Sequence, residues 1–293
     1  MSQIKASELI LNPDGSVYHL HLKPGQVAED IITVGDIDRV EVITRYFDEI
    51  EFSVQNREFK TSTGTLNGKR ITVISTGIGT DNIDIVMAEL DALFNIDLVN
   101  RIPHDKLKSL NIYRIGTSGA LRSEIALNSF VASAYAIGLD SLLHFYKVNY
   151  TEDEKDISAM AASVIKDELP DVRPYAVKGS KKLLDLFKDV CLSGITITNT
   201  GFYGPQGRAL RIHPRSASFL DNLRSVSHKG VNTTNLEMET AGIYGMAKVY
   251  GHHAISLNAI IANRESRTFS EDTSKPVIKL IELALEKIST LRN

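Results

Sequence analysis

A chain of 293 residues with 43% hydrophobic content is long enough to bury a sizeable core, as one large domain or two modest ones. A formal net charge of -3 gives no electrostatic reason to expect nucleic acid or an anionic membrane as partner, so small-molecule ligands are expected. The single cysteine, Cys191, excludes an intramolecular disulfide and a multi-cysteine metal site, and no stretch reads as a leader or a membrane span, so a soluble, cytoplasmic protein is expected.

Residues 1 to 29 are polar and loop-like except at Tyr18 to Leu22, whose alternation puts His19 and His21 on one face of a short strand. Two histidines could hold a metal, but no third ligand of suitable spacing lies nearby, and a surface strand explains the pattern as well. The first strong strand is Asp30 to Val34, followed by Gly35-Asp36 and a helix from about Asp38 to Phe47. Such a junction offers backbone N–H groups and the positive end of the helix dipole to an anion, and Arg39 in the first turn adds a full charge. Glu51 to Leu66 and Arg70 to Ser75 flank Asn67-Gly68, a strong hairpin signal, with Arg57 inside the first arm. The second arm runs into Ser75-Thr76-Gly77-Ile78-Gly79-Thr80 and a helix from Ile83 to Phe94. That turn suits an anion but lacks the third glycine of a dinucleotide fingerprint. Asn95 to Leu110 reads as an irregular surface insertion.

Ile112 to Ile115 predicts a third strand, ending in Gly116-Thr117-Ser118-Gly119-Ala120, with Arg114 on the strand itself. An arginine in an apolar strand needs a negative partner, either a bound anion or an internal carboxylate. The serine spacing excludes a nucleophile elbow. Further on, the pattern predicts a strand at Phe130 to Ala134, helices at Thr151 to Leu169 and Lys181 to Val190, and a strand at Gly194 to Asn199.

The loop that follows, Thr200 to Arg208, combines Phe202, which can stack on a flat ring, with Gln206 and Arg208, which can bond its edge; an ordinary exposed loop is the alternative. Asn235 to Ala247 then sets Glu237 and Glu239 ahead of a nearly uncharged helix, which predicts burial on all sides. Those carboxylates either grip a polyol ligand or cap the helix. A core strand, Ile255 to Ala262, and a helix from about Thr273 to Leu291 complete the chain.

Six ordered motifs carry a resemblance along nearly the whole chain: GDIDR from Gly35, NREF from Asn56, STGIG from Ser75, RIGTSGA from Arg114, FYGPQGR from Phe202 and EMETAG from Glu237. Together they resemble the nucleoside phosphorylase family, and within it the uridine phosphorylases. The resemblance implies an α/β fold with residues 1–293 forming one domain around a mixed, partly closed sheet. It also implies a homo-oligomer built of dimers, usually a hexamer, with residues 1–29 contributing to the dimer interface. By motif, Gly35, Arg39, Arg114 and Thr117 would bind phosphate, with Arg57 reaching it from the adjacent subunit. His19, likewise across the interface, would meet the ribose 5′-hydroxyl, and Met238 and Glu239 would hold the sugar. Phe202, Gln206 and Arg208 would hold the base, supported by Arg264, with Arg114, Arg208 and Glu239 carrying the catalysis.

The implied reaction is phosphorolysis of uridine, with inorganic phosphate as co-substrate and no organic cofactor. Purine relatives place an aspartate after the strand that follows the EMETAG helix. Here Ala262-Asn263-Arg264 stands in that region, which favours a pyrimidine. Some relatives hold a monovalent cation, potassium, near the position of Glu58. Thr80-Asp81-Asn82 departs from their usual glycine, proline and serine there, and the 95–110 segment is longer than in the bacterial enzymes.

Overall fold

Two residues at each end, 1, 2, 292 and 293, lie outside the described residues of the computed structural model, which cover 3–291. The first half of that span holds β1 (Asp30–Val34), α1 (Asp38–Thr44), β2 (Glu49–Asn56), β3 (Phe59–Leu66), β4 (Lys69–Ser75), α2 (Thr80–Asn95), β5 (Ile96–Asp97), β6 (Ile102–Pro103), β7 (Asn111–Ala120) and β8 (Phe130–Gly138). The second holds α3 (Glu152–Ile165), β9 (Tyr175–Lys178), α4 (Lys181–Leu184), β10 (Leu192–Thr198), α5 (Phe219–Arg224), β11 (Ser227–His228), β12 (Val231–Glu237), α6 (Thr240–Tyr250), β13 (His253–Asn263), β14 (Thr268–Phe269) and α7 (Ser274–Ser289).

The main sheet runs β11-β12-β10-β8-β13-β7-β1-β4-β3-β2, and a further pairing of β12 with β7 closes five of its strands into a ring. It is the mixed, partly closed sheet expected from the resemblance. Parallel pairs β1–β4, β1–β7 and β7–β13 point the ends of those strands the same way. The closing pair is antiparallel and matches Asn235 with Ala120 and Leu236 with Gly119. Glu237 and Glu239 follow at once, so ring closure is what carries the EMETAG segment back along β7 to Arg114.

Helix α6 is buried from Thr240 to Ala247, as its lack of a polar face predicts. Its glycines make close approach possible, since a Cβ on Gly245 would sit 2.2 Å from the Leu143 side chain and one on Gly242 2.9 Å from Thr80. The Asn67-Gly68 hairpin forms as read, with both residues at positive φ between β3 and β4.

Several local expectations are corrected. Tyr18 to Leu22 is a turn, not a strand, with His21 at φ 53°. The Glu51 to Leu66 arm is itself a hairpin, β2 paired with β3, and Arg57 sits at its tip with φ 56°. Strand β7 does not stop at Ile115 but runs through the small residues to Ala120, because β13 pairs with it along the whole length. The helices expected at 151–169 and 181–190 are shorter, since α3 ends at Ile165 and α4 at Leu184. Residues 95–110 are not wholly superficial: they form the β5–β6 pair and bury Asn95, Leu98 and Leu110, while Val99 and Leu107 face solvent.

Candidate active site

Strand β7 supplies the axis of the site. Register places Arg114 between Thr33 of β1 and Ser256 of β13, and Gly116 beside Asn258. The buried Arg114 side chain uses this frame fully. Its Nη2 donates to Glu239 Oε2 at 2.6 Å and lies 3.0 Å from Glu237 Oε2, while Nη1 donates to Asn258 Oδ1 at 2.9 Å and Ser256 Oγ at 3.3 Å. An internal ion pair therefore satisfies the arginine. Burial works against its positive charge, but Glu237 and Glu239 outweigh that effect and hold its pKa above the ordinary guanidinium value.

The two glutamates do different work. Glu237 ends β12 and its carboxylate accepts the backbone N–H groups of Glu239 and Thr240, both at 2.9 Å, and the Thr198 hydroxyl at 2.7 Å. It caps α6, as one of the two sequence readings held. Glu239 gives one oxygen to Arg114 and the other to the Gly79 N–H at 2.8 Å, tying EMETAG to the STGIG turn. Burial pushes its carboxyl pKa up, with Arg114 opposing and Glu237 adding to the rise.

Arg39, in the first turn of α1, is half-buried and makes only a long bond, 3.4 Å, to the Ile115 carbonyl. Among the described residues it has no ion pair. Burial lowers its pKa, Asp36 opposes this, and the nearby Arg114 charge lowers it further. A Cβ on Gly35 would lie 3.4 Å from the Gly77 carbonyl, so the turns after β1 and β4 touch. Gly35, Arg39, Gly79, Arg114 and Glu239 thus gather where the parallel strands β1 and β4 end beside the middle of β7, a place suited to an anion. Thr117 is half-buried on β7 without a side-chain hydrogen bond among the described residues, and Met238 is half-buried between the glutamates.

A second cluster lies further along β7. The Arg208 guanidinium stacks 3.8 Å from the Phe202 ring centre and donates to the Phe202 carbonyl and to Gln206 Oε1. Gln206 is buried, and its main-chain oxygen accepts from Arg264 Nη2 at 2.8 Å. Arg264 is anchored in turn by its N–H to the Ala120 carbonyl, and its stem passes Gly119. Burial lowers the pKa of both Arg208 and Arg264, and neither is ion-paired among the described residues. Phe202 is 52% exposed, with Arg208 over one face of its ring and Tyr203 edge-on to it. The Arg114 head lies over Gly116 and the Arg264 stem over Gly119, three residues apart, a spacing along the strand of roughly 10 Å.

Two residues assigned to the site lie elsewhere in this chain. His19 bonds Glu89, Asn56 donates to the His19 carbonyl, and the Arg57 guanidinium stands 5.9 Å from the Tyr18 ring. Their partners are one another's neighbours, not Arg114 or Glu239. Glu58 accepts the Asn82 amide at 3.2 Å. Asn263 spends its whole amide on structure, with Nδ2 donating to the Arg122 and Ile125 carbonyls and Oδ1 accepting from Glu265 and Ser266. The sequence reading missed Ser256, Asn258 and the Gly79 N–H. A polar Asn258 inside the apolar strand 255–262 was the available signal.

A family model described as the phosphorylase superfamily matches residues 29–291, nearly the whole chain. The chain belongs to the phosphorylase superfamily. This superfamily member is 29% identical over 263 residues to a uridine phosphorylase of Thermococcus kodakarensis, covering 89% of the chain and 83% of that relative. It is 26% identical over 285 residues to a DeoD-type purine nucleoside phosphorylase of Clostridium perfringens, covering 93% and 99%. A solved Trypanosoma brucei nucleoside phosphorylase, described as showing uridine phosphorylase activity, superposes with a TM-score of 0.86 at 27% identity, over 97% of this chain and all of that one. Among the described residues of this phosphorylase-superfamily chain, no helix is long and apolar enough to cross a membrane, and no group of three or more His, Cys, Asp or Glu could hold a metal ion.

Proposed function

We propose that this chain cleaves a pyrimidine nucleoside with phosphate, converting uridine to uracil and ribose 1-phosphate. The observation that carries the proposal is the meeting of Arg39, which has no ion pair among the described residues, with the Arg114–Glu239 pair midway along β7, one strand segment away from a cationic platform for a flat ring. Phosphate held by Arg39, Arg114, Thr117 and the Gly35 turn would attack the anomeric carbon as the glycosidic bond breaks, with Glu239 gripping the sugar hydroxyls over Met238. The charge left on the departing base would fall on Arg208, Gln206 and Arg264, so no covalent enzyme intermediate is required.

To meet an anion, Arg114 would exchange part of its bond to Glu239. Before the anion arrives, two guanidinium and two carboxylate groups balance, and the ligand replaces internal pairing with substrate pairing. His19 and Arg57 would act on the pocket of an adjacent copy, with residues 1–29 at the shared face, which makes a dimer the minimal unit and a hexamer the proposed assembly. The enzyme would work in the cytoplasm. A potassium ion near Glu58 is a variant of this reading that the Asn82 amide, already donating to that carboxylate, counts against.

A purine substrate is the second reading, and the DeoD-type relatives favour it. The fully bonded Asn263 opposes it, because an amide with every donor and acceptor engaged has no proton to offer a leaving purine. Side-by-side assays of uridine, thymidine, deoxyuridine and inosine, with and without phosphate, test both. Uridine turnover that requires phosphate is expected. Faster inosine turnover would reverse the base assignment, and undiminished cleavage without phosphate would make the enzyme a hydrolase.

A further inference from the structure

Glu89, on α2, is tied to the turn that carries His19 by four contacts. Its carboxylate accepts the backbone N–H of His19 at 2.9 Å and of Leu20 at 2.8 Å, and it meets His19 Nδ1 at 2.6 Å. The His19 N–H also reaches the second carboxylate oxygen at 3.0 Å. With Nδ1 engaged by that carboxylate, Nε2 is the ring nitrogen left over, on a side chain 27% exposed. The turn is held from other directions as well. Asn56 donates to the His19 carbonyl at 2.7 Å, and the Tyr18 ring stands edge-on to the imidazole at 4.8 Å. Among the described residues, this oriented nitrogen has no partner within its own chain.

We propose that Glu89 is a positioning residue for the nucleoside sugar. It fixes the tautomer and aim of His19, so that Nε2 meets the primary hydroxyl of a ribose bound in an adjacent copy. This rests on the nucleoside reading above and adds to it the residue that sets recognition of that hydroxyl. Orientation by a carboxylate behind the ring is what makes a surface imidazole selective, because a freely rotating ring loses much of a hydrogen bond to conformational averaging. Glu89 itself touches no substrate atom.

The test compares uridine with 5′-deoxyuridine as substrates of the full-length assembly. The wild type should prefer uridine in kcat/KM by roughly ten- to a hundredfold, the worth of one hydrogen bond to a positioned imidazole. Glu89→Gln should lose most of that preference and raise KM for uridine, leaving KM for phosphate unchanged. Added to His19→Ala, Glu89→Gln should change the preference no further. If Glu89→Gln does not fold, Glu89→Asp, which keeps the charge but shortens the reach, should give an intermediate preference. Phosphate-dependent cleavage with an unaltered preference in the Glu89 variants, or an equal loss on both substrates, would overturn this role alone. Absence of any phosphate-dependent cleavage in the wild type would overturn the nucleoside reading with it.

Discussion

The head of Arg114 lies directly over Gly116, two residues along its own strand, where a Cβ would come within 2.3 Å of Nη1 and 2.5 Å of Cζ. Gly116 is therefore the floor on which the guanidinium rests while it bonds Glu239. Gly116→Ala should push a flexible side-chain end and leave the backbone in place, costing about 1–3 kcal/mol of stability. Turnover should fall about a hundredfold, since a catalytic group displaced by an ångström loses most of its effect. Urea melts beside steady-state kinetics would show this split, and near-wild-type turnover would mean that the arginine does not act from this position.

Asn263 invites the reverse experiment. Asn263→Asp would set a carboxylate against the Arg122 and Ile125 carbonyl oxygens and remove two donated bonds. A loss of about 1–3 kcal/mol or more is expected from the oxygens left facing each other. Inosine cleavage should not appear, and gain of such activity in the variant would show that the side chain reaches the base after all.

Glu239 links the site to pH. Its carboxyl titrates above the ordinary value of 4.5 because it is buried, so between that value and its folded one the native state holds a proton that the unfolded chain has released. Stability should therefore fall as pH rises through this window and level off above it. Glu239→Gln removes the fall. Denaturation curves between about pH 4 and pH 8 would check it, and identical pH slopes in the two proteins would contradict the assignment.

Gln206→Ala should relax discrimination between bases more than it slows uridine, because a buried polar edge rejects mismatched rings by leaving its own groups unpaired. The ratio of kcat/KM for uridine over inosine reports this. An equal drop on both substrates would assign Gln206 to holding Arg208 and the loop, through the bond it accepts from that guanidinium.

Local signals were legible wherever one strand or turn decides the outcome. The apolar run Asp30–Val34, the Asn67-Gly68 turn and the uncharged α6 all follow from period and turn chemistry. Strand β12 is not legible because Thr233, Thr234 and Asn235 look like a polar loop, and only pairing with β10 and β7, distant in sequence, places them in the sheet. The turn at His19 failed for a related reason: alternation in YHLHL mimics a strand, whereas the carboxylate that shapes it comes from residue 89. Arg114 was recognised as needing a negative partner, but the choice between a ligand and an internal carboxylate depends on contacts 125 positions apart. Gln206 and Arg208 stand out in the sequence as groups for a ring edge, whereas their mutual bond and the support from Arg264 exist only in the folded loop.

Closure of the ring by β12 has a consequence for how the protein is made. Until residue 237 has left the ribosome, β7 and β10 both lack this neighbour, and the edges that β12 will cover are open. A nascent chain stalled between β10 and β12 therefore presents unsatisfied strand edges, the kind of surface that holdase chaperones bind and that seeds aggregation. Completion of the last third seals those edges and assembles the pocket in the same event, so a truncated product would be both inactive and prone to misassembly.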